Sequence, residues 1–360
     1  MLIREFKLKP TKKQQEIINR TLWQHISVYN TTLTKLFIAL TTGKILSYFD
    51  LCYLFIGQGT KAGLNQQTMM RTTEVAQMAF MRWLKKDASG KRHGRPRRKS
   101  KRNPVRTLIF DMSCRINPPK LRHIGIPGIG KVRCSKDDKF PAGKIKGGKL
   151  IKRASGFYFQ FVIDSVSKFP VKENTPDIGI DPGFKTLLTL SDGTSYENPR
   201  ELRKSEERLA QAQRGRNKKL TAKIQEKIAR VKKDRNHRVS RKIVENYSHI
   251  YVSKDSFKGL QAKFGKSVSE ACLGSLLGMI AYKAQNCGRQ FTWVNSKNTT
   301  RGCSVCGGLH GPTGLGDLGV REWVCSGCGA QHERDVNAAR NILLSGRGTP
   351  SSEKINLDRA

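Results

Sequence analysis

Acidic residues are scarce in this 360-residue chain: 28 Asp and Glu stand against 68 Lys and Arg, leaving a formal net charge of +40. So large an imbalance argues against an ordinary cytosolic enzyme, because a compact fold carrying it repels itself unless a polyanion is present. Long apolar runs are also lacking. No stretch of eighteen apolar residues occurs, and Met1-Leu2-Ile3-Arg4-Glu5-Phe6 has no apolar core of a secretory signal. The expectation is a soluble, intracellular protein. Paired cysteines of the secreted kind are missing as well, since Cys52, Cys114, Cys134, Cys272 and Cys287 show no regular spacing. They read as buried or incidental thiols in a reducing compartment.

What the chain has is basic charge spread along its length rather than gathered in a tail. Nucleic acid is the expected partner, gripped along a groove or channel with strongly salt-dependent affinity. Eight of the twelve residues from 91 to 102 are Lys or Arg, interrupted by Gly94 and Pro96. This is a loop whose Arg92, Arg95, Arg97 and Arg98 are candidate phosphate contacts. Sixteen of the forty residues from 203 to 242 are Lys or Arg, around an apolar stripe of Leu220, Ile224, Ile228 and Val231. One face of that helix should pack and the other, with Lys218, Lys219, Arg235 and Arg238, should meet phosphate. The 37% hydrophobic content is enough for two or three domains with real cores.

The remaining four cysteines form two CxxC pairs, Cys303/Cys306 and Cys325/Cys328, separated by eighteen residues. Each pair points two thiolates at one ion across a tight turn, and the two pairs complete a tetrahedron. Zinc is the natural occupant, in a closed structural site that leaves His310 and His332 no vacancy. Asp335 follows Cys328 by seven residues.

Period-2 alternation predicts a strand over 1–9. Thr11 with Gln14 forms a capping box that opens a helix, and further helices are expected over about 45–56 and 66–86. The second carries a Met and aromatic stripe (Met69, Met70, Val75, Met78, Ala79, Met81, Trp83, Leu84) that reads as core. From 105 to 165 short runs such as Thr107 to Phe110, Lys131 to Cys134 and Gly156 to Ile163 predict a small β-barrel or curled sheet, completed by the N-terminal strand. Beyond Pro176, a strand over Ile178 to Asp181, a hairpin arm at Thr186 to Leu190, the basic helix, a strand at Ile250 to Val252, a helix over 266–286 and a strand at Phe291 to Val294 describe an α/β domain with a mixed sheet.

Asp181 ends a strand of that sheet, where open sheets place ligands. Asp335 begins a helix whose Ala338, Ala339, Ile342 and Leu343 suit close packing on the sheet. Brought together, the two carboxylates would call for a divalent cation and suit phosphodiester hydrolysis. Apart, Asp181 would stabilise a turn and Asp335 would cap a helix. Spacing alone leaves both readings open.

The combination of Gly179-Ile180-Asp181-Pro182-Gly183, Arg235-Asn236-His237-Arg238, Asn298-Thr299-Thr300-Arg301-Gly302-Cys303, Trp323-Val324-Cys325 and His332-Glu333-Arg334-Asp335-Val336-Asn337 resembles TnpB, the transposon-encoded RNA-guided nucleases related to type V CRISPR effectors. The resemblance implies a RuvC-like (RNase H-like) domain over 173–300 and 331–345, a zinc knuckle inserted at 301–330, a wedge-type β-barrel from 1–10 and 101–172, and a helical recognition domain at 11–100; the Gly, Ser and charge content of 346–360 reads as a flexible tail. The resemblance also implies a guide RNA, a DNA target, Mg²⁺ held by Asp181 and Asp335, and a prokaryotic cytoplasm or nucleoid. No protein oligomer is predicted.

One position departs from the family. Aligned on Lys258-Gly259, Ser253 stands where a glutamate usually ends the strand. Asp255 is the leading substitute, since residues two apart on a strand share a face; Glu270 and Glu333 are weaker ones. The expected function is RNA-guided DNA cleavage, with a nuclease-dead RNA-guided repressor as the alternative. A plain RNA-binding zinc protein would explain the charge and the cysteines but not Asp181.

Overall fold

In this computed structural model the described residues are 1–58, 63–86, 90–114, 116–135, 140–165, 169–254, 257–313 and 316–348. The chain divides into two compact units, Met1–Val166 and Ser167–Ala360.

The first unit is a half-barrel sheet with helices inserted after its first strand. Strand β1 (Leu2–Lys9) is followed by α1 (Lys12–Thr41), α2 (Tyr48–Tyr53) and α3 (Gln66–Leu84), then by β2 (Thr107–Phe110), β3 (His123–Ile126), β4 (Gly130–Cys134), β5 (Lys144–Arg153) and β6 (Gly156–Asp164). The strand order is β2-β5-β6-β1-β4-β3, which leaves β2 and β3 as the edges of a curled sheet rather than closing a barrel. β6 lies inside the order because Phe157, Tyr158, Phe159, Phe161 and Ile163 are all buried; such a strand cannot form an edge. The ladder slips between Ile145 and Gly147, and Gly147 takes a φ of +144° there, with the Phe110 carbonyl where a side chain would sit.

The Thr11 capping box forms as the sequence predicts, with Thr11 Oγ1 accepting from the Gln14 N–H and Gln14 Oε1 accepting from the Thr11 N–H. The second predicted helix shrinks to Tyr48–Tyr53. In α3 the methionine and aromatic stripe is core in part: Met69 is buried, and Met70, Met81, Trp83 and Leu84 are partly buried and pack against the helical cores. Thr68, Met69, Thr72, Thr73, Ala76 and Phe80 are buried, while Val75 and Met78 are exposed. Polar residues are tolerated inside because His25 of α1 meets Thr72 Oγ1 at 2.6 Å and Thr68 Oγ1 at 3.4 Å.

The second unit carries a five-stranded mixed sheet in the order β11-β10-β7-β8-β9. Its strands are β7 (Ile178–Pro182), β8 (Thr186–Leu190), β9 (Ser195–Glu197), β10 (His249–Ser253) and β11 (Gln290–Val294). β7 is antiparallel to β8 and parallel to β10, and β10 is parallel to β11. The short edge strand β9 was not predicted, since three residues are too few to show alternation. Helices α4 (Glu201–Lys204), α5 (Glu206–Arg214) and α6 (Lys218–Asn246) follow it. The helix expected over 266–286 is two helices, α7 (Phe257–Ala271) and α8 (Leu273–Asn286), broken where Cys272 turns to a φ of +55°. A small hairpin of β12 (Glu322–Val324) and β13 (Gln331–Glu333) leads into α9 (Arg334–Gly348). Ile178, Ile180, Leu188, Ile250, Val252, Leu276 and Ile280 form the core between sheet and helices. Among the described residues, no helix is long and apolar enough to cross a membrane.

Candidate functional site

Asp181 sits at the C-terminal end of β7 because Ile178, Gly179 and Ile180 are buried on both faces and the strand reaches its half-buried rim there. The register pairs Val252 with Ile180, so one residue further along Ser253 ends β10 beside Asp181. Ser253 is 1% exposed.

Helix α9 runs antiparallel to β7 across this sheet, and three contacts fix its direction. At the start of the strand, Arg347 Nε lies 3.3 Å from Asp177 Oδ2. In the middle, a Cβ at Gly179 would run into the Ala339 carbonyl and come within 2.7 Å of the Leu343 nitrogen, so only glycine lets the helix lie this close. Gly346 rests on the Tyr251 ring in the same way. From Arg347 back to Asp335 is about 18 Å of helix, and from Asp177 to Asp181 about 13 Å of strand. Asp335 is therefore carried towards the Asp181 end of the sheet. Its carboxylate pairs with Arg321 at 3.2 Å, a partner that nothing in the spacing of the sequence pointed to. The two acids thus share one end of the sheet, while Asp335 keeps its charge neutralised by a side chain from the hairpin approach.

The knuckle is built against the same helix. The sulfurs of Cys303, Cys306, Cys325 and Cys328 all lie within 4.8 Å of one another, with Cys303 to Cys328 and Cys306 to Cys325 each 3.7 Å apart. The set can hold a metal ion. Burial raises the Cys303 thiol, but N–H groups of Cys306 and Val305 and the His332 ring outweigh it and bring its pKa down to about 6. At Cys328 the Ala330 N–H lowers the value, yet burial and hydrogen bonds with Cys306, Cys303 and Cys325 push it up to about 12. Four thiols this close cannot all ionise unless a cation sits among them. His332 is not a fifth ligand: its Nε2 lies 3.0 Å from Cys303 Sγ, and its ring packs on Trp323 with centroids 4.6 Å apart. His310 Nδ1 lies 3.0 Å from Ser326 Oγ.

Two asparagines, Asn337 of the quoted motif and Asn341, tie knuckle to helix. Asn337 accepts from the Ser304 N–H at 2.9 Å and donates to the Gly302 carbonyl at 2.7 Å; Asn341 donates to the Thr299 and Gly302 carbonyls. They stand one turn apart on α9, a spacing visible in the sequence but meaningless until the first CxxC turn is laid beside it.

Of the acids considered as substitutes at the Ser253 position, Asp255 lies outside the described residues. Glu270 is buried at the end of α7, with Oε1 accepting from the Leu202 N–H at 2.9 Å and 3.8 Å from Lys232 Nζ. Glu333 is exposed on β13, paired across the hairpin with Glu322.

The basic candidates divide. Arg92, Arg95, Arg97, Arg98, Lys218 and Lys219 are exposed, and Arg238 is exposed with Asp234 3.2 Å away. Arg235 is a correction: it is 6% exposed, and its guanidinium is taken up by Glu201 at 3.0 Å, the Ala271 carbonyl at 2.8 Å and Asn236 Oδ1. Val231 is a second correction, half-exposed at 38%. Helical periodicity from Ile224 and Ile228 leads inward to Lys232 and Arg235, so α6 buries two basic side chains where an apolar stripe was expected.

Residues 160–260 match the family model OrfB_IS605, described as "Probable transposase", and residues 274–342 match that of the "Cas12f1-like, TNB domain". A Streptomyces pristinaespiralis protein named "Putative RNA-guided DNA endonuclease" is 32% identical over 210 residues, 53% of this chain and 50% of that one. InsQ of Escherichia coli K12, of the same description, is 26% identical over 252 residues, 62% of each chain. The chain thus spans half to about three-fifths of the length of the curated relatives it matches. Among solved structures, a chain of the Cas12f1-sgRNA-target DNA complex aligns over 92% of this chain and 83% of its own, with a TM-score of 0.58 at 16% identity. That likeness is one of fold.

Proposed function

We propose that this chain is a member of the TnpB family and an RNA-guided DNA endonuclease, hydrolysing target DNA under the direction of a bound guide RNA. The reading is supported most by one observation: α9 crosses the sheet antiparallel to β7, which brings Asp335 to the Asp181 end. In this reading the second unit is a RuvC-like domain with an inserted knuckle, and the first unit is a wedge-type sheet carrying a helical recognition insertion.

The donor set suits a hard divalent ion such as Mg²⁺, since carboxylate oxygens at a strand end and a helix start are what such an ion takes. Asp181 and Asp335 would hold it, with Asp255 as third acid. Bound there, the ion would supply Lewis-acid polarisation of the phosphate and a water of lowered pKa. The chain's own residues do the rest. Gly179 sets the helix close enough to the strand, and Asn337 and Asn341 hold the first turns of α9 in place. Arg321 pairs with one oxygen of Asp335, Oδ2, and would orient that carboxylate for a bound ion. The knuckle fits zinc: zinc–sulfur bonds of about 2.3 Å put tetrahedral sulfurs about 3.8 Å apart, against 3.7 Å for Cys303 to Cys328 and for Cys306 to Cys325. Its role is structural.

Ser253 supports a second reading. A buried hydroxyl at the end of β10, beside Asp181, cannot bridge two divalent ions as a carboxylate does. If no other acid replaces it, the protein is an RNA-guided DNA-binding repressor on the same scaffold. Protein reconstituted with its copurifying RNA, a matched DNA duplex and Mg²⁺ separates the two. Cleavage abolished by Asp181→Asn, Asp335→Asn and Asp255→Ala supports the nuclease; tight guide-dependent binding with an intact duplex supports the repressor.

A further inference from the structure

The basic segment 91–102 is not a free linker where it passes α1. Asn30 of α1 holds the backbone of Lys99 from both sides, accepting its N–H at 2.7 Å and donating to its carbonyl at 3.0 Å. Cations of the segment lie over aromatic rings of the helices: Arg95 over Phe37 at 4.3 Å, Lys99 over Tyr29 at 5.2 Å and Lys101 over Trp23 at 5.7 Å. Residues 95–101 thus form a strap fixed along α1.

A groove of about 410 Å³ opens between strap and helix. Trp23, Ser27, Asn30 and Thr31 line it from one face of α1, at the i, i+4, i+7, i+8 spacing of a single helical stripe, and Arg98 and Lys101 line it from the strap. Trp23 is 52% exposed, with Lys101 the strap cation over its ring. The floor is therefore a half-exposed aromatic ring with hydroxyls beside it, and the wall is cationic, with Lys101 reaching over that ring. A groove of a few hundred Å³ is of ligand size. Open aromatic rings flanked by Arg and Lys are how proteins hold unpaired nucleotides, because every base has a π-face and every linkage a negative charge.

From these observations we infer that the groove between α1 and the 95–101 strap binds an unpaired nucleotide of a single-stranded nucleic acid, its base stacked on Trp23 and its phosphate held by Arg98 and Lys101. The inference rests on the nucleic-acid reading above but not on cleavage. Phosphate contacts elsewhere on so basic a protein would mask the site in a simple affinity measurement. The informative quantity is the affinity for a fluorescein-labelled oligothymidylate divided by that for an abasic oligomer of equal length.

Trp23→Ala lowers that ratio roughly ten-fold, given the usual strength of base–aromatic stacking, while Trp23→Phe retains most of it. Arg98→Ala weakens both probes alike. In parallel, an oligomer containing 4-thiothymidine crosslinks on irradiation to peptides holding Trp23 or residues 98–101. An oligouridylate arm identifies the strand as RNA or DNA by which sugar gives the higher ratio. A ratio unchanged in Trp23→Ala, or crosslinks confined to other peptides, overturns the inference. Both assays use protein without guide RNA and read no cleavage, so an uncut target would sink the nuclease reading alone.

Discussion

At the scale of single residues, side chains that look alike in the sequence have opposite tasks. Arg235 and Arg238 stand in one basic run, yet Arg235 is buried against Glu201 while Arg238 is open. Removing one partner of a buried pair leaves an uncompensated charge, so Arg235→Ala should cost about 3–5 kcal/mol in urea unfolding. Arg238→Ala should leave stability within ~0.5 kcal/mol, as exposed changes do. A loss of nucleic-acid affinity in Arg235→Ala at full stability would mean that its side chain reaches phosphate after all. The run of basic residues hid this difference because only the phase relative to Ile224 and Ile228 decides which cations turn inward.

His25 gives a pH dependence at the same scale. Burial lowers its pKa from 6.5 to about 4, with Thr72 Oγ1 at 2.6 Å. The unfolded chain takes up a proton near 6.5, whereas the native protein resists until near 4. Stability is therefore full above the ordinary value and falls as pH drops through that window, by about 3 kcal/mol. Denaturant unfolding between pH 7 and pH 4 should show this slope, and His25→Leu should lack it, whatever its own stability.

Elements position the acids, and they were partly legible. Strand β7, the hairpin to β8 and the helix after Asp335 could be read from buried runs and turn residues, because each signal is local. What was not legible is how α9 meets β7. That depends on Gly179 lying against Ala339 and Leu343, residues 160 or more positions away, and on the pairing of Asp177 with Arg347. The break at Cys272 was invisible for a similar reason: an apolar helical pattern continues across it while the backbone turns. Gly179→Ala tests this packing without touching an acid. The added methyl has no room, so stability should fall by about 1–3 kcal/mol. Cleavage should fall further than stability requires, because α9 shifts relative to Asp181. Activity at wild-type level in a folded Gly179→Ala protein would show that the approach of α9 does not control the site.

Over the whole molecule, the charge of +40 was legible from composition alone and implies an anionic partner larger than any substrate pocket. Affinity for nucleic acid should fall about a thousand-fold or more between about 50 and 200 mM salt if six or more phosphates are neutralised. Arg97→Ala and Arg98→Ala should each reduce the slope of log affinity against log salt by about 1. Insensitivity to salt would mean that the surface charge is not used for binding.

The proposed nuclease requires Asp181 and Asp335 to act as one cation site. Electron paramagnetic resonance of Mn²⁺ titrated into the purified protein, without guide RNA, measures that site apart from any cleavage. Bound Mn²⁺ in the wild type should be lost or weakened at least ten-fold in Asp181→Asn and again in Asp335→Asn, with the zinc content of the knuckle unchanged. Mn²⁺ bound equally well by both variants would mean that the two carboxylates do not form one site.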